Sequence, residues 1–258
     1  MRAVNMSPST ESLPAPAVFR AVQILEVLGE SKSPLTITEI SVRLGMAKSS
    51  VSNLMTTLKA AGMVRRAEQA WTLGYKVLEL GQMMLSSTSF VREFARQSNI
   101  LPTLQHETAL VAALDGLEVV YLARHDGSQP IRLASDIGKR MPAPVTALGK
   151  AMLASLPPAE LDARLAEMTE LPRPTKRSYR TVGELRADLR TVRERGFAWD
   201  DEQNTIGVTC FAVAVRGGTQ PTAVSTTLLT QRVTNDLRTR LVADLHLLAN
   251  HLTLFVDG

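Results

Sequence analysis

Over residues 36–61, TITEISVRLG followed by MAKSSVSNLMTTLKAA, apolar side chains recur every three to four positions. That spacing predicts two short amphipathic helices joined by a tight turn. Thr36 and Glu39 stand in the T-x-x-E arrangement of a capping box, which satisfies free N–H groups at a helix start. Ile37, Ile40 and Leu44 make one apolar face. Gly45 can take the left-handed conformation that ends a helix. The second helix, residues 47–61, turns Val51, Leu54, Met55 and Leu58 inward. Its other face carries Lys48, Ser49, Ser50, Ser52, Asn53, Thr56 and Thr57. These small donors and acceptors suit base edges and phosphates. No acid occurs between Glu39 and Glu68, whereas Arg43, Lys48, Lys59, Arg65 and Arg66 do. Such a surface fits a polyanion, and residues 47–61 are expected to be the recognition helix of a helix-turn-helix. The pattern alone also fits an ordinary helical hairpin with a solvated polar face.

Around this pair the chain divides readily. Residues 1–16, with Pro8, Pro14, Pro16 and only Arg2 as a cation, are expected to be a flexible arm. A helix is predicted from Ala17 to Leu28, with Val18, Val22, Leu25 and Leu28 inward and Gly29 ending it. Strand-like runs Met63–Arg66 and Ala70–Leu73 follow Gly62 and make the pair a winged helix. Arg65 and Arg66 would meet phosphates, and Trp71 would pack the wing onto the core. A connector helix is expected over 74–89, where Leu73, Val77, Leu80 and Met84 form a stripe. That stripe suits either a second copy of the chain or its own winged helix.

From Phe90 onward the pattern is mixed. It reads as a helix to Leu104, strands Ala109–Leu114, Glu118–Arg124 and Ile131–Ala134, then helices Val145–Ser155, Pro158–Met168 and Val182–Arg195. Thr181 and Glu184 stand as a second capping box, and Gly196 follows the third helix. Strands Phe197–Trp199, Val208–Val215 and Ala223–Leu229 precede a helix striped by Leu237, Leu241, Leu245, Leu248 and Leu252. Strands in blocks around a helical block predict an α+β fold with an antiparallel sheet flanked by helices. The expected domains are 17–73 for DNA binding, 74–89 as connector, and 90–258 for effector binding and oligomerisation.

Charge sharpens the division. Residues 1–75 hold eight Lys/Arg against five Asp/Glu, and the remainder 21 against 20. The basic excess sits with the expected DNA reader. One cysteine excludes an internal disulfide. The absence of a leader-like apolar segment or a ~20-residue apolar run leads to the expectation of a cytoplasmic protein without membrane contact.

Tests for catalytic and metal chemistry come back empty, so no catalytic residue, metal or cofactor is expected. APVTALGK ends like a phosphate loop, but Pro144 stands where that motif needs Gly. His106-Glu107 lacks a second His, since Leu110 is there, and His246 and His251 are five apart. Neither G-x-S-x-G nor G-x-G-x-x-G occurs. Two function classes stay open: a ligand-controlled transcription factor, or a small-molecule-binding or enzymatic domain with a helical assembly module.

The segments FRAVQILEVL, LTITEISVRLGMAKSSVSNLMTTLKAAGMV and WTLGYKVLELG resemble the winged helix of IclR-type transcriptional regulators. EVVYLAR, IGKRMPAPVTALGKAMLA and RERGFAWDDEQNTIGVTCFAVAV are similar to the second half of that family, so the likeness spans about residues 17–256. TALGKA together with the D-D-E and G-x-x-C segments is its most specific part. The resemblance implies a dimer or tetramer that binds operator DNA, with a GAF-like C-terminal domain for a small metabolite. Carried over by position, the effector site would comprise Leu133, Met141, Thr146, Ala147, Leu148, Asp200 and Cys210. Free N–H groups at the helix start near Thr146–Leu148 would suit a carboxylate. Pro144 departs from the family, many of whose members carry His there. The apolar Leu133, Met141 and Leu148 favour an aromatic or short-chain organic acid.

Overall fold

The computed structural model describes residues 13–86, 89–128 and 136–256. The chain divides into two compact units, Met1–Ser86 and Ser87–Gly258.

In the first unit, helices α1 (Pro16–Glu30), α2 (Ile37–Leu44) and α3 (Lys48–Ala60) precede a hairpin of β1 (Val64–Ala67) and β2 (Ala70–Leu73), and α4 (Tyr75–Ser86) follows. The capping box of Thr36 and Glu39 is formed in both directions, and Gly45 ends α2 at φ +64°. Ile24, Leu28, Leu35, Ile40, Val51, Met55, Leu58, Val64 and Trp71 make the core. Leu35 and Trp71 exchange both backbone hydrogen bonds, at 2.9 and 2.8 Å, so a third chain segment joins the wing. Gly74 lies against the carbonyl of Gly62, where a Cβ would stand 2.0 Å from the oxygen.

Two expectations are corrected here. Helix α1 continues through Gly29 to Glu30, and Val18 and Val22 are exposed while Ile24 is buried. Its apolar arc is wider than the side the unit covers, so periodicity selected the wrong edge of it. In α4 only the first half of the expected stripe is covered. Leu73 packs on the core and Val77 is half-buried, whereas Leu80 and Met84 are exposed.

The second unit is a six-stranded antiparallel sheet between two helical layers. Its elements are α5 (Ser89–Ser98), β3 (Thr108–Asp115), β4 (Glu118–His125), β5 (Arg140–Pro142), α6 (Ala147–Ser155), α7 (Pro158–Ala166), α8 (Val182–Arg195), β6 (Ala198–Asp201), β7 (Val208–Val215), β8 (Thr222–Leu229) and α9 (Asn235–Leu252). The strand order is β5-β4-β3-β8-β7-β6. Strand alternation splits the core between the two faces. Leu110, Ala112, Tyr121, Ala212 and Ala223 face α6, α7 and α8. Val111, Phe211, Val213 and Val224 face α5 and α9.

The helix expected from Phe90 to Leu104 stops at Ser98, and a 3-10 turn over Leu104–His106 follows Pro102. Buried Asp244 caps that turn, accepting from the N–H groups of Thr103 and Leu104 at 2.7 and 2.9 Å. Strand β5 forms where no strand was expected, pairing with β4. The predicted strand Ile131–Ala134 lies outside the described residues. At α8 only half the second capping box forms. Thr181 accepts from the Glu184 N–H, but the Glu184 carboxylate takes the N–H of Arg180.

Candidate DNA-binding surface and effector site

Val51, Met55 and Leu58 hold α3 onto the core, with Leu54 at its margin. At 100° per residue the opposite side is centred on Ser49, Asn53 and Thr56. Lys48, Ser49, Ser52, Asn53, Thr56 and Thr57 are exposed, and Ser50 is half-buried at the flank. Two of the hydroxyls are partly engaged: Thr56 donates to the Ser52 carbonyl at 2.9 Å and Thr57 to the Asn53 carbonyl at 3.3 Å. Such back-bonded hydroxyls offer acceptor lone pairs to a partner. The exposed Asn53 amide offers both donors and an acceptor.

On the wing, Arg65 and Arg66 are exposed. Their guanidinium groups lie 5.1 Å from the centroid of Tyr75 and 5.4 Å from that of Trp71. The aromatic ring of Trp71 is buried in the core, as a packing residue should be. Resting on these rings orders two long side chains without neutralising them.

In the second unit, the fold brings most of the expected effector residues onto one face of the sheet. Ala147 and Leu148 are buried in the same core cluster as Tyr121 and Ala143, with Met141 and Cys210 partly buried against it. Thr146 caps α6, accepting from the Gly149 N–H at 3.1 Å. Gly149 is required there because a Cβ would stand 2.2 Å from the Ala143 carbonyl oxygen. That glycine therefore serves close packing of α6 onto the preceding 3-10 turn. Asp200 pairs with Cys210 across β6 and β7. Cys210 in turn lies 3.4 Å from the Thr227 hydroxyl. Ser225 and Thr227 alternate onto the same face as Ala223 and add hydroxyls to it. Leu133 lies outside the described residues.

Asp200 is buried, and its Oδ1 accepts from the N–H groups of Gln203 and Asn204 at 2.8 and 3.2 Å. It caps a turn, whatever else it does. Burial pushes its carboxyl up to about 6, against the opposing pull of Lys150 and those two N–H groups. Burial, with the Asp200 charge adding to it, pushes the Tyr121 hydroxyl up as well. The Cys210 thiol is raised chiefly by desolvation, so it is held as a thiol.

Sequence reading passed over a buried cation with several side-chain partners in this unit. Lys150 is fully buried, and its ammonium donates to Tyr179 Oη at 3.0 Å, Asp188 Oδ2 at 2.9 Å and Gln203 Oε1 at 2.5 Å. The Trp199 carbonyl is a fourth acceptor. Tyr179 also donates to Asp188 Oδ2 at 2.6 Å. Burial pulls the ammonium down, with Asp188 opposing. Burial pushes the Asp188 carboxyl up, but the Lys150 charge and the bonds from Tyr179 and Lys150 outweigh it and leave it lowered. A signal was available: Lys150 is the lone charge in ALGKAMLAS, and a buried cation requires partners.

A model of the IclR helix-turn-helix domain matches residues 17–68, and a model of the C-terminal region of the bacterial transcriptional regulator IclR matches residues 82–254. The chain belongs to the IclR family of transcriptional regulators. KdgR of Dickeya chrysanthemi is 32% identical over 241 residues, covering 92% of this chain and 78% of KdgR. The crystal structure of a transcriptional regulator from Rhodococcus sp. RHA1 superposes with a TM-score of 0.81 at 27% identity, covering 93% of this chain and 98% of that one. An IclR homolog from Microbacterium hydrocarbonoxydans, complexed with 4-hydroxybenzoate, shares the fold at 18% identity and a TM-score of 0.77, covering 92% of this chain and 99% of that one. As an IclR-type regulator the protein binds DNA through its helix-turn-helix and a small molecule through its C-terminal domain. Its relatives are transcriptional regulators and not enzymes.

Proposed function

We propose that α3 reads an operator in the major groove, with Ser49, Ser50, Ser52, Asn53, Thr56 and Thr57 toward the bases. Lys48, Arg65 and Arg66 meet the phosphates. The observation behind this is the exposed polar side of α3 opposite buried Val51, Met55 and Leu58. Direct readout needs small polar groups that reach base edges, and this side supplies them. One recognition helix covers few base pairs, so the protein works as a homodimer or homotetramer on half-sites about one helical turn, or a multiple of it, apart. Residues 74–89 serve as the connector through which the DNA-binding domain, 17–73, responds to the effector domain, 90–258. The exposed apolar residues Tyr75, Leu78 and Leu80 are candidates for the interface between copies.

The effector site proposed here lies at the start of α6, among Met141, Thr146, Ala147 and Leu148, with Asp200 and Cys210 opposite. Leu133 belongs to it by family position. The apolar character of Met141, Leu148 and Tyr121 supports an aromatic or short-chain organic acid. Helix N-terminal N–H groups suit its carboxylate. The same fold holds 4-hydroxybenzoate in the Microbacterium homolog. Among the described residues no helix is long and apolar enough to cross a membrane, which supports a cytoplasmic placement.

A gel shift with DNA upstream of the protein's own gene tests the operator reading. A thermal-shift screen over organic acids tests the effector reading, because a ligand that binds the folded state raises its stability. No shift with any acid that relieves or strengthens operator binding would overturn the effector assignment.

A further inference from the structure

We propose that Lys150 is the positioning residue of the effector domain, a latch that fixes the turn carrying Asp200 relative to the N-terminus of α6. This rests on the effector-site reading only for its consequence, since the latch itself is a matter of geometry.

Lys150 lies one helical turn beyond Thr146, the cap of α6. Its ammonium reaches both flanks of the Asp200 turn: the Trp199 carbonyl before it and the Gln203 side chain after it. It also reaches Asp188 on α8 and Tyr179 in the segment that leads there. A second set of bonds ties residues 175–179 to the same turn. Thr175 donates to the Glu202 carbonyl at 2.7 Å, Ser178 to the Gln203 carbonyl at 2.7 Å, and Arg177 pairs with Asp201 at 2.5 Å. Glu202 sits at φ +60°, a conformation that a non-glycine residue holds only where its surroundings enforce it. The turn is therefore held from outside, and among the described residues Lys150 is the α6 side chain that hydrogen-bonds to it.

Three ammonium donors meeting four acceptors leave no N–H of Lys150 for a ligand unless an acceptor is given up. Its role is to set the distance between the carboxylate end of the site and Asp200, and so the length of acid that fits. In family terms the lysine of TALGKA would then be a ruler within the site and not a ligand of the effector.

The test is hydrogen exchange on the full-length protein, without any effector, comparing wild type with Lys150→Met and Asp188→Asn. Peptides covering 175–180 and 199–207 should exchange at least about ten-fold faster in Lys150→Met, while β7, β8 and α9 keep their wild-type protection. Asp188→Asn keeps the side-chain shape and should loosen the same two segments, which serves if Lys150→Met does not fold. The Asp200 carboxyl, followed by 13C NMR, should titrate at higher pH in Lys150→Met, a change that lost packing alone would not give. Unchanged exchange in both variants, faster exchange spread over the whole sheet, or an unmoved Asp200 titration would overturn the proposal. None of these readings depends on where an effector binds, so failure of the site assignment would be seen separately.

Discussion

Glu68 and Gly116 occupy the same position, the first of the two central residues in a two-residue hairpin turn, and both have positive φ, +55° and +60°. Hairpins of this kind favour glycine there. The left-handed region costs a non-glycine residue about 1–2 kcal/mol, while glycine's greater unfolded-state entropy costs about 0.5–1 kcal/mol. The first term wins narrowly. Glu68→Gly should therefore stabilise the winged unit by about 0.5–1 kcal/mol, read as a higher midpoint in thermal unfolding. A lower midpoint would mean the Glu68 side chain has a compensating role.

Gly149→Ala should act in the opposite direction and more strongly. The added Cβ would meet the Ala143 backbone, which no side-chain rotation can move aside. Strain of this kind costs about 1–3 kcal/mol, and the start of α6 should loosen with it. Equal urea midpoints for variant and wild type would show that the turn shifts freely.

Asp200 makes a pH prediction. Its folded-state pKa is raised to about 6, so folding favours the protonated form. That contribution is complete below the unfolded carboxylate range and disappears as pH rises through about 6. Lys150, Asp201, Cys210 and Tyr121 are the groups coupled to it. Asp200→Asn keeps an acceptor for Gln203 and Asn204 and cannot ionise. Relative to wild type it should gain stability as pH rises from about 3.5 to about 6.5, by up to about 3 kcal/mol for a two-unit shift, and hold that gain above. A stability difference that does not vary over that range would contradict the raised pKa.

Much of this architecture was legible in the sequence because it rests on local signals. The capping box at Thr36, the left-handed Gly45 and the Leu241–Leu252 stripe each follow from spacing within one element. What escaped was long-range. Strand β5 is only three residues and depends on β4 for its hydrogen bonds. Val18 and Val22 have the right period, but period cannot say how much of an apolar arc a neighbour covers. Among the candidate site residues, Ala147, Leu148 and Cys210 came through family position, and the sheet then brought them together. Lys150 was missed because its partners Tyr179, Asp188 and Gln203 lie 29 to 53 positions away.

Self-association should be visible directly. With Tyr75, Leu78 and Leu80 exposed on α4, sedimentation at micromolar concentration should show a dimer or tetramer. Leu78→Lys should weaken it if this helix is part of the interface. A wild-type monomer with full operator affinity would contradict the half-site reading.

The DNA-reading side of α3 is tested most directly by Asn53→Ala, titrated on the operator and on random DNA, with Arg66→Ala alongside. Asn53→Ala should cost about 1–3 kcal/mol on the operator and little on random DNA. Arg66→Ala should weaken both alike and lower the salt slope by about one. Wild-type operator affinity in Asn53→Ala would mean that a different side of α3 faces the bases.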